Sequence, residues 1–120
     1  MKRVLVTGGA GFIGQALIGR LSAYCRVGVV DTVVGSSVLD FRLNLSGYDT
    51  VVHLAAINGT KNFYERPREV LDVQIRGTLN VLDACVRHGV ETFALASSSE
   101  VYQTPPSFPT PEDVPLVVPD

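Results

Sequence analysis

The chain has 120 residues, a length typical of one domain, and 46% of them are hydrophobic while 18% are charged. Its net charge is −2 and its lysines and arginines are scattered, so no basic stripe is available for the phosphates of a nucleic acid. Its apolar runs are too short for a membrane span or a secretory signal. We therefore expect a cytoplasmic protein that binds neither nucleic acid nor a membrane, with Cys25 and Cys85 reduced in its core.

The first predicted elements are a strand, a glycine-rich turn and a helix. Residues 3–7 are apolar, and helical spacing of apolar residues begins at Phe12. A second buried strand is predicted over 26–31 and ends on an acid. Apolar residues alternate with polar ones over 38–45 and predict a third, half-exposed strand. Those on its apolar face are Leu39, Phe41, Leu43 and Leu45.

The second half of the chain predicts two further strands and one long helix. Residues 50–56 are apolar on both faces, as in a central parallel strand, and 92–98 form the fifth strand. Between them, 67–88 predict a helix that begins with proline and stops before glycine. Its main apolar stripe is Leu71, Ile75, Thr78, Leu79, Leu82, Cys85 and Val86. Other apolar residues lie outside this stripe, and some of them must face the sheet: Val70, Val73 and Val81. Six of the seven prolines lie in 103–120, which excludes a helix or an inner strand there.

Buried strands that alternate with helical segments predict an α/β fold of the Rossmann type, with a parallel sheet and flanking helices. Right-handed crossovers favour the strand order 3-2-1-4-5. We expect residues 1–102 to form this domain and 103–120 to form a proline-rich loop. The connections 31–40 and 44–49 are short, so each is expected to replace a crossover helix with a loop.

The glycine-rich turn predicts a dinucleotide site. Gly8, Gly11 and Gly14 have the spacing G-x-x-G-x-x-G between a strand and a helix. The first permits the sharp turn, the second lets backbone amides approach a pyrophosphate, and the third lets the helix pack closely on the sheet. Asp31, at the end of the second strand, would accept hydrogen bonds from the adenosine ribose and repel a 2′-phosphate, which favours NAD over NADP. The alternative is a plain helix cap and a solvated carboxylate.

Several segments together resemble one known family. The glycine loop "VTGGAGFIG" (6–14), the fourth strand "YDTVVHLAA" (48–56), the helix "RGTLNVLDAC" (76–85) and the fifth strand "FALASSSEVYQ" (93–103) occur in its order. The chain is thereby identified as a member of the extended short-chain dehydrogenase/reductase superfamily, in the NAD-dependent epimerase/dehydratase family typified by UDP-galactose 4-epimerase. The resemblance covers most of the chain but does not distinguish one enzyme of the family from another.

The resemblance implies a set of cofactor contacts. The pyrophosphate loop would consist of Gly8, Gly11, Phe12, Ile13 and Gly14, with Asp31 on the adenosine ribose. Asp40 and Phe41 would lie beside the adenine, although Asp40 also fits the polar face of an edge strand. The strand end that passes under the nicotinamide ribose would be Leu54, Ala55 and Ala56, with further contacts from Gln74 and Ser97. His53, inside that strand, is expected to be a packed, hydrogen-bonded residue.

The family's catalytic Ser or Thr corresponds to Ser98, whose hydroxyl would bond the reacting oxygen of a nucleotide-sugar while hydride moves to or from the nicotinamide. A serine at a strand end is also a common turn or cap residue. The family's Tyr-x-x-x-Lys pair is missing, because neither Lys2 nor Lys61 follows a tyrosine at that spacing. We interpret the chain as the truncated N-terminal part of a longer enzyme and expect no turnover from it alone.

Two other functions stay open. The chain could be a binding module that senses NAD without catalysis. It could also be an interaction protein whose helix at 67–88 packs against a second copy, as paired helices do in the family's dimers.

Two residues depart from the family pattern. Gln74 stands where the family usually has asparagine, and Asn58 stands where some epimerases have lysine. Either change would alter cofactor or substrate contacts.

Overall fold

A computed structural model of the chain describes residues 1–117. The predicted parallel sheet is confirmed, and its strands lie in the order β2-β1-β3-β4. They are β1 (Arg3–Thr7), β2 (Arg26–Val30), β3 (Thr50–His53) and β4 (Thr92–Leu95). This is the order predicted from the sequence, except that residues 38–45 form no strand. All neighbouring strands are parallel, so their carboxyl ends meet at one edge of the sheet.

The helices connect these strands. They are α1 (Phe12–Leu21), α2 (Thr60–Glu65), α3 (Pro67–Leu71) and α4 (Thr78–His88), with a π-helical segment (Asp72–Gly77) between the last two. Helix α3, the π segment and α4 form the predicted long helix. Pro67 stands at its first turn, and Gly89 ends it with a left-handed φ of 67°.

Two apolar layers cover the two faces of the sheet. Along β1, Val4 and Val6 point towards α1, while Leu5 points towards α4. The side opposite α1 is the larger cluster, and it includes Val51 from β3 and Val81 from α4, both fully buried. This alternation follows from the period of two in a strand. The result is a three-layer arrangement that leaves the carboxyl edge of the sheet open.

The predicted strand over 38–45 is wrong. Side-chain oxygens close three successive turns in and beside this segment, each accepting a hydrogen bond from the backbone N–H two residues later. These side chains are Ser37, Asp40 and Asn44. Such local bonds compete with the ladder of a sheet, and they stop this segment from extending along β2.

The segment instead folds across one face of the sheet. Val38, Leu43 and Leu45 are buried, whereas Leu39 and Phe41 are 38% and 71% exposed. The alternation therefore does not mark one buried face. Within 31–49, all of which the structure describes, the only regular element is a 3-10 turn, as expected from the short connections.

The long helix buries Cys85 from the predicted main stripe and, as expected for some of the residues outside that stripe, Val70 and Val81. Val70, Val81 and Ala84 are 0–1% exposed, and Val81 and Ala84 belong to the core cluster on the sheet. The apolar residues that point outward are Leu71, Ile75, Leu79, Leu82 and Val86. We call these five residues the outer stripe. The π segment places an extra residue in one turn, which shifts the phase between α3 and α4.

The end of the described chain contains few regular elements. A 3-10 turn spans Ser99–Tyr102, and residues 103–117 contain neither helix nor strand. The backbone N–H of Val117 donates to the carbonyl of Val101 at 3.1 Å. The rest of the predicted loop, residues 118–120, lies outside the described residues. Within residues 1–117 no helix has the length and apolar character needed to cross a membrane.

Candidate functional site

A cleft of about 1070 Å³ opens at the carboxyl edge of the sheet. Its walls come from the glycine turn, the ends of the four strands and the π segment. Twelve of the fourteen site residues predicted from the sequence line it. They are Gly8, Gly11, Phe12, Ile13, Gly14, Asp31, Leu54, Ala55, Ala56, Gln74, Ser97 and Ser98. The fold therefore brings together residues that are separated by up to 90 positions in the sequence.

The glycine turn is tightly enclosed. Gly8 has a φ of 70°, and a Cβ there would lie 2.8 Å from the backbone nitrogen of Ala55. A Cβ on Gly14 would overlap the carbonyl oxygen of Gly8 and lie 2.7 Å from the Cα of Gly9. The turn and the close helix packing thus require glycine at two of the positions where the sequence predicted it.

The turn also presents free backbone donors. The N–H of Gln15 donates to the carbonyl of Gly11 at 2.9 Å and begins the bonding pattern of α1. Within residues 1–117, the N–H groups of Phe12, Ile13 and Gly14 have no hydrogen-bond acceptor. At the N-terminus of a ten-residue helix, these groups together favour an anion.

Asp31 is held in a fixed orientation at the end of β2. Its Oδ2 accepts from the backbone N–H of Ala10 and its Oδ1 from that of Val33, both at 3.0 Å. The hydroxyl of Ser36 accepts from the Asp31 N–H at 3.1 Å. Each carboxylate oxygen keeps a second acceptor position. The carboxylate can therefore bind two hydroxyl donors from the cleft.

Two predicted residues are not in the cleft. Phe41 is 71% exposed on the surface, and the Asp40 carboxylate accepts from the backbone N–H of Arg42 at 2.9 Å. That hydrogen bond lowers the pKa of Asp40. The three residues just before them, Ser37, Val38 and Leu39, line this end of the cleft. Asp40 and Phe41 do not line the cleft because the turns at 37–46 replace the strand that was expected to place them there.

At the opposite end of the cleft, the end of β3 is bound to β1. Leu54 N–H donates to the carbonyl of Thr7 at 3.1 Å, and Ala55 N–H donates to the Thr7 hydroxyl at 3.2 Å. The His53 ring lies beneath them, 2% exposed, and burial lowers its pKa. Its two nitrogens bond Thr7 at 2.6 Å and Thr78 at 3.0 Å. The prediction that His53 is packed and hydrogen-bonded is confirmed.

Ser97 and Ser98 follow β4 and are both exposed to the cleft. The hydroxyl oxygen of Ser98 accepts from the backbone N–H of Glu100 at 3.2 Å, so it caps the 3-10 turn. This bond uses an oxygen lone pair and leaves the hydroxyl proton free. The cap and a donor role towards a ligand are therefore compatible.

The wall beside the π segment contains Gln74, which the sequence indicated, and an ion pair that it did not. The Gln74 amide donates to the carbonyl of Ile57 at 3.2 Å and connects the helix to the loop after β3. Arg66 and Glu69 also line the cleft and form an ion pair at 3.3 Å. No motif predicted this pair, because its position depends on how α3 joins the π segment.

Comparisons with known proteins agree with this geometry. The model of the NAD dependent epimerase/dehydratase family matches residues 4–119. UDP-glucose 4-epimerase 2 of Oryza sativa subsp. japonica is 31% identical. The comparison covers 97% of this chain and 36% of the rice protein. The UDP-N-acetyl-alpha-D-glucosaminuronate decarboxylase of Bacillus cytotoxicus is 35% identical, with 88% of this chain and 40% of that protein covered.

Solved structures share the fold. The NDP-hexosamine 5,6-dehydratase TunA of tunicamycin biosynthesis has a TM-score of 0.83 and 32% identity, over 98% of this chain and 44% of that one. UDP-glucose 4-epimerase from Bifidobacterium longum, in complex with NAD⁺ and UDP, has a TM-score of 0.83 and 28% identity, over 97% and 43%. The chain thus spans less than half the length of these relatives. It belongs to the NAD-dependent epimerase/dehydratase family.

Proposed function

We propose that the chain is the NAD-binding part of a nucleotide-sugar epimerase, dehydratase or related oxidoreductase. The observation that carries this proposal is the position of Asp31 beside three backbone donors of the glycine turn that have no acceptor within residues 1–117. A carboxylate that would repel a 2′-phosphate and a helix N-terminus that favours a pyrophosphate together fit NAD. The Bifidobacterium epimerase, a relative with the same fold, was solved with NAD⁺.

The residues of the cleft fit this cofactor along its length. The amides of Phe12, Ile13 and Gly14 would bind the pyrophosphate, and Asp31 would bind the adenosine ribose. The small residues Ala55 and Ala56 leave room for the nicotinamide end. NAD supplies a hydride acceptor when it is bound, and the free hydroxyl proton of Ser98 would donate to the sugar oxygen that reacts.

A nucleotide-sugar is the substrate class that the relatives support. One related structure, an epimerase from Methanobrevibacter ruminantium, contains UDP-N-acetylmuramic acid, and the Bifidobacterium enzyme contains UDP.

No tyrosine of the 120 residues is followed by lysine at the fourth position. These 120 residues alone therefore lack the base that the family uses with its serine, and we expect them to bind NAD without turnover when tested by themselves. A cytoplasmic location stays a prediction of the sequence.

NAD titration tests the proposal. We expect the melting temperature to rise with NAD, since a ligand at 100 times its Kd adds about 2.7 kcal/mol to the free energy of unfolding. NADP at the same concentration should give a smaller rise because its 2′-phosphate meets the Asp31 carboxylate. A chain whose melting temperature responds to neither nucleotide would not be an NAD-binding module.

A second proposal concerns the outer stripe on the long helix. Four of its five residues, Leu71, Ile75, Leu79 and Val86, are 55–83% exposed, and Leu82 is 36% exposed. The stripe runs for about 22 Å along the helix, at 1.5 Å per residue. Two identical stripes can pack against each other about a two-fold axis, as two copies of one chain require. This supports a homodimer formed through the helix at 67–88.

Leu79→Asp tests the dimer. We expect the wild-type chain to sediment as a dimer and the variant as a monomer with unchanged circular dichroism, because the charge would be buried between the copies. Tyr24→Asp is the matched control, since Tyr24 is 80% exposed at the end of the opposite helix. If wild type and Leu79→Asp sediment alike, the stripe does not form an interface between copies.

A further inference from the structure

The buried ring of His53 joins two walls of the cleft through hydrogen bonds whose directions can be assigned. Thr78 Oγ1 lies 2.5 Å from the carbonyl oxygen of Gln74. A carbonyl only accepts, so the Thr78 proton must lie between these two oxygens. The Thr78 oxygen can then only accept from His53, and Nε2 of the ring must carry a proton.

The other side of the ring leads to the same assignment. The backbone N–H of Ala55 donates to Thr7 Oγ1 at 3.2 Å, and Thr7 Oγ1 lies 2.6 Å from Nδ1 of His53. A neutral ring protonated on Nε2 has a bare Nδ1, which accepts the Thr7 proton. One continuous series of donors therefore runs from Ala55, through Thr7, His53 and Thr78, to Gln74. Each of its buried polar groups has a partner of the correct kind.

This series of hydrogen bonds connects the two walls of the cleft at the end where the nicotinamide is proposed to bind. Ala55 belongs to the loop after β3, and Gln74 belongs to the π segment; both line the cleft. The Gln74 side chain also donates to the carbonyl of Ile57, three residues beyond Leu54. We propose that His53 is a positioning residue, which in its neutral Nε2–H form holds these two walls at the separation that NAD requires. This inference rests on the proposed function of the cleft.

A proton added to the ring would break the series. With both ring nitrogens as donors, the Thr7 oxygen would accept from both Ala55 and the ring, and the Thr7 proton would be left without its acceptor. Burial already lowers the pKa of His53, so the ring is neutral at pH 7. The unfolded chain accepts this proton near its ordinary pKa of about 6.5. The contribution of the neutral ring to the free energy of unfolding is thus complete above that pH. It is lost as the pH falls from there through the lower pKa of the folded state.

The surroundings of the ring contain no charged hydrogen-bond partner within residues 1–117. β1 contributes Thr7, the helix contributes Thr78, and β4 contributes the Phe93 ring, whose centroid lies 5.9 Å away. The charged side chains that share the cleft with it are Asp31, Arg66 and Glu69. On the π segment, Asp72 and Arg76 pair with each other at 3.1 Å.

Two measurements on the full chain test the role of His53. The chain has two histidines, so ¹⁵N NMR of the rings is simple to assign with His88→Gln. We expect the His53 ring to be neutral and protonated on Nε2 at pH 7.5. We also expect the Kd for NAD to rise as the pH falls through the folded-state pKa of His53, which burial holds below its ordinary value. His53→Gln keeps a donor for Thr78 but does not titrate, so its Kd should be about tenfold higher at pH 8 and nearly constant with pH.

His88→Gln is the matched control, since His88 lies outside the cleft and bonds Ser46. It should keep the wild-type pH profile. An Nδ1–H or charged ring at pH 7.5 would overturn the proposal even if no nucleotide bound. NAD binding with the same pH profile in wild type and His53→Gln would also overturn it. Failure of the wild type to bind NAD at pH 8 would count against the proposed function, and the NMR result would then decide the tautomer by itself.

Discussion

Gly14→Ala is expected to destabilise the chain by about 3 kcal/mol and to abolish any rise in melting temperature with NAD. The added Cβ would overlap the carbonyl oxygen of Gly8 and lie 2.8 Å from the carbonyl carbon of Gly9. Both contacts are with backbone, which cannot move aside as a flexible side chain can. Overpacking of a closed site usually costs 1–3 kcal/mol, and this contact is at the upper end because α1 would have to leave the turn.

Gly19→Ala is the control within the same helix. A Cβ on Gly19 would meet no atom within 4 Å, so the same substitution adds no clash there. We expect it to stabilise the chain by about 0.5–1 kcal/mol, because alanine loses less conformational entropy than glycine in a helix. Urea unfolding measures both effects. If Gly14→Ala unfolded at the wild-type urea concentration, the close packing of α1 on the turn would not constrain the fold.

The glycine turn could be predicted from sequence because its requirements are local. A left-handed residue at Gly8 and the absence of a Cβ at Gly14 follow from the strand, turn and helix alone. Asp31 could be placed for the same reason, since it comes directly after β2. Because β2, β1 and β3 are parallel neighbours, their carboxyl ends lie at one edge of the sheet, and the residues that follow them meet there.

The segment at 37–46 could not be predicted from hydrophobic alternation. Apolar residues spaced two apart also occur in successive turns, and the decisive signals were the short polar side chains of Ser37, Asp40 and Asn44. A turn prediction based on these side chains would have removed the third strand. It would also have removed the expected position of Asp40 and Phe41 beside the adenine, which depended on that strand.

The buried face of the long helix could be predicted only in part, for a different reason. A straight α-helix predicts one apolar stripe, but this helix has two, and the sequence does not say which one packs on the sheet. The small residues Gly77 and Ala84 lie on the buried side, where a Cβ on Gly77 would come 2.7 Å from Val38. Close approach to the segment that folds across the sheet therefore favoured the face with small residues. The larger apolar residues were left outside, where the proposed dimer would cover them.

Asp31→Ala is expected to raise the Kd for NAD by about 100-fold or more and to remove the preference for NAD over NADP. Two hydrogen bonds from ribose hydroxyls to a carboxylate would be lost, and bonds to charged groups contribute about 1.5–3 kcal/mol each. The repulsion of a 2′-phosphate would be lost as well. Isothermal titration with both nucleotides measures the two Kd values.

The ratio of the two Kd values separates recognition from damage to the turn. The Asp31 carboxylate also accepts from the N–H of Ala10, so its removal loosens the turn for either nucleotide. If this were its whole role, the Kd values for NAD and NADP would rise by the same factor. If Asp31 recognises the ribose, the Kd for NAD rises while that for NADP stays level or falls. Asp83→Ala, which removes an exposed carboxylate from α4 outside the cleft, should leave both Kd values unchanged.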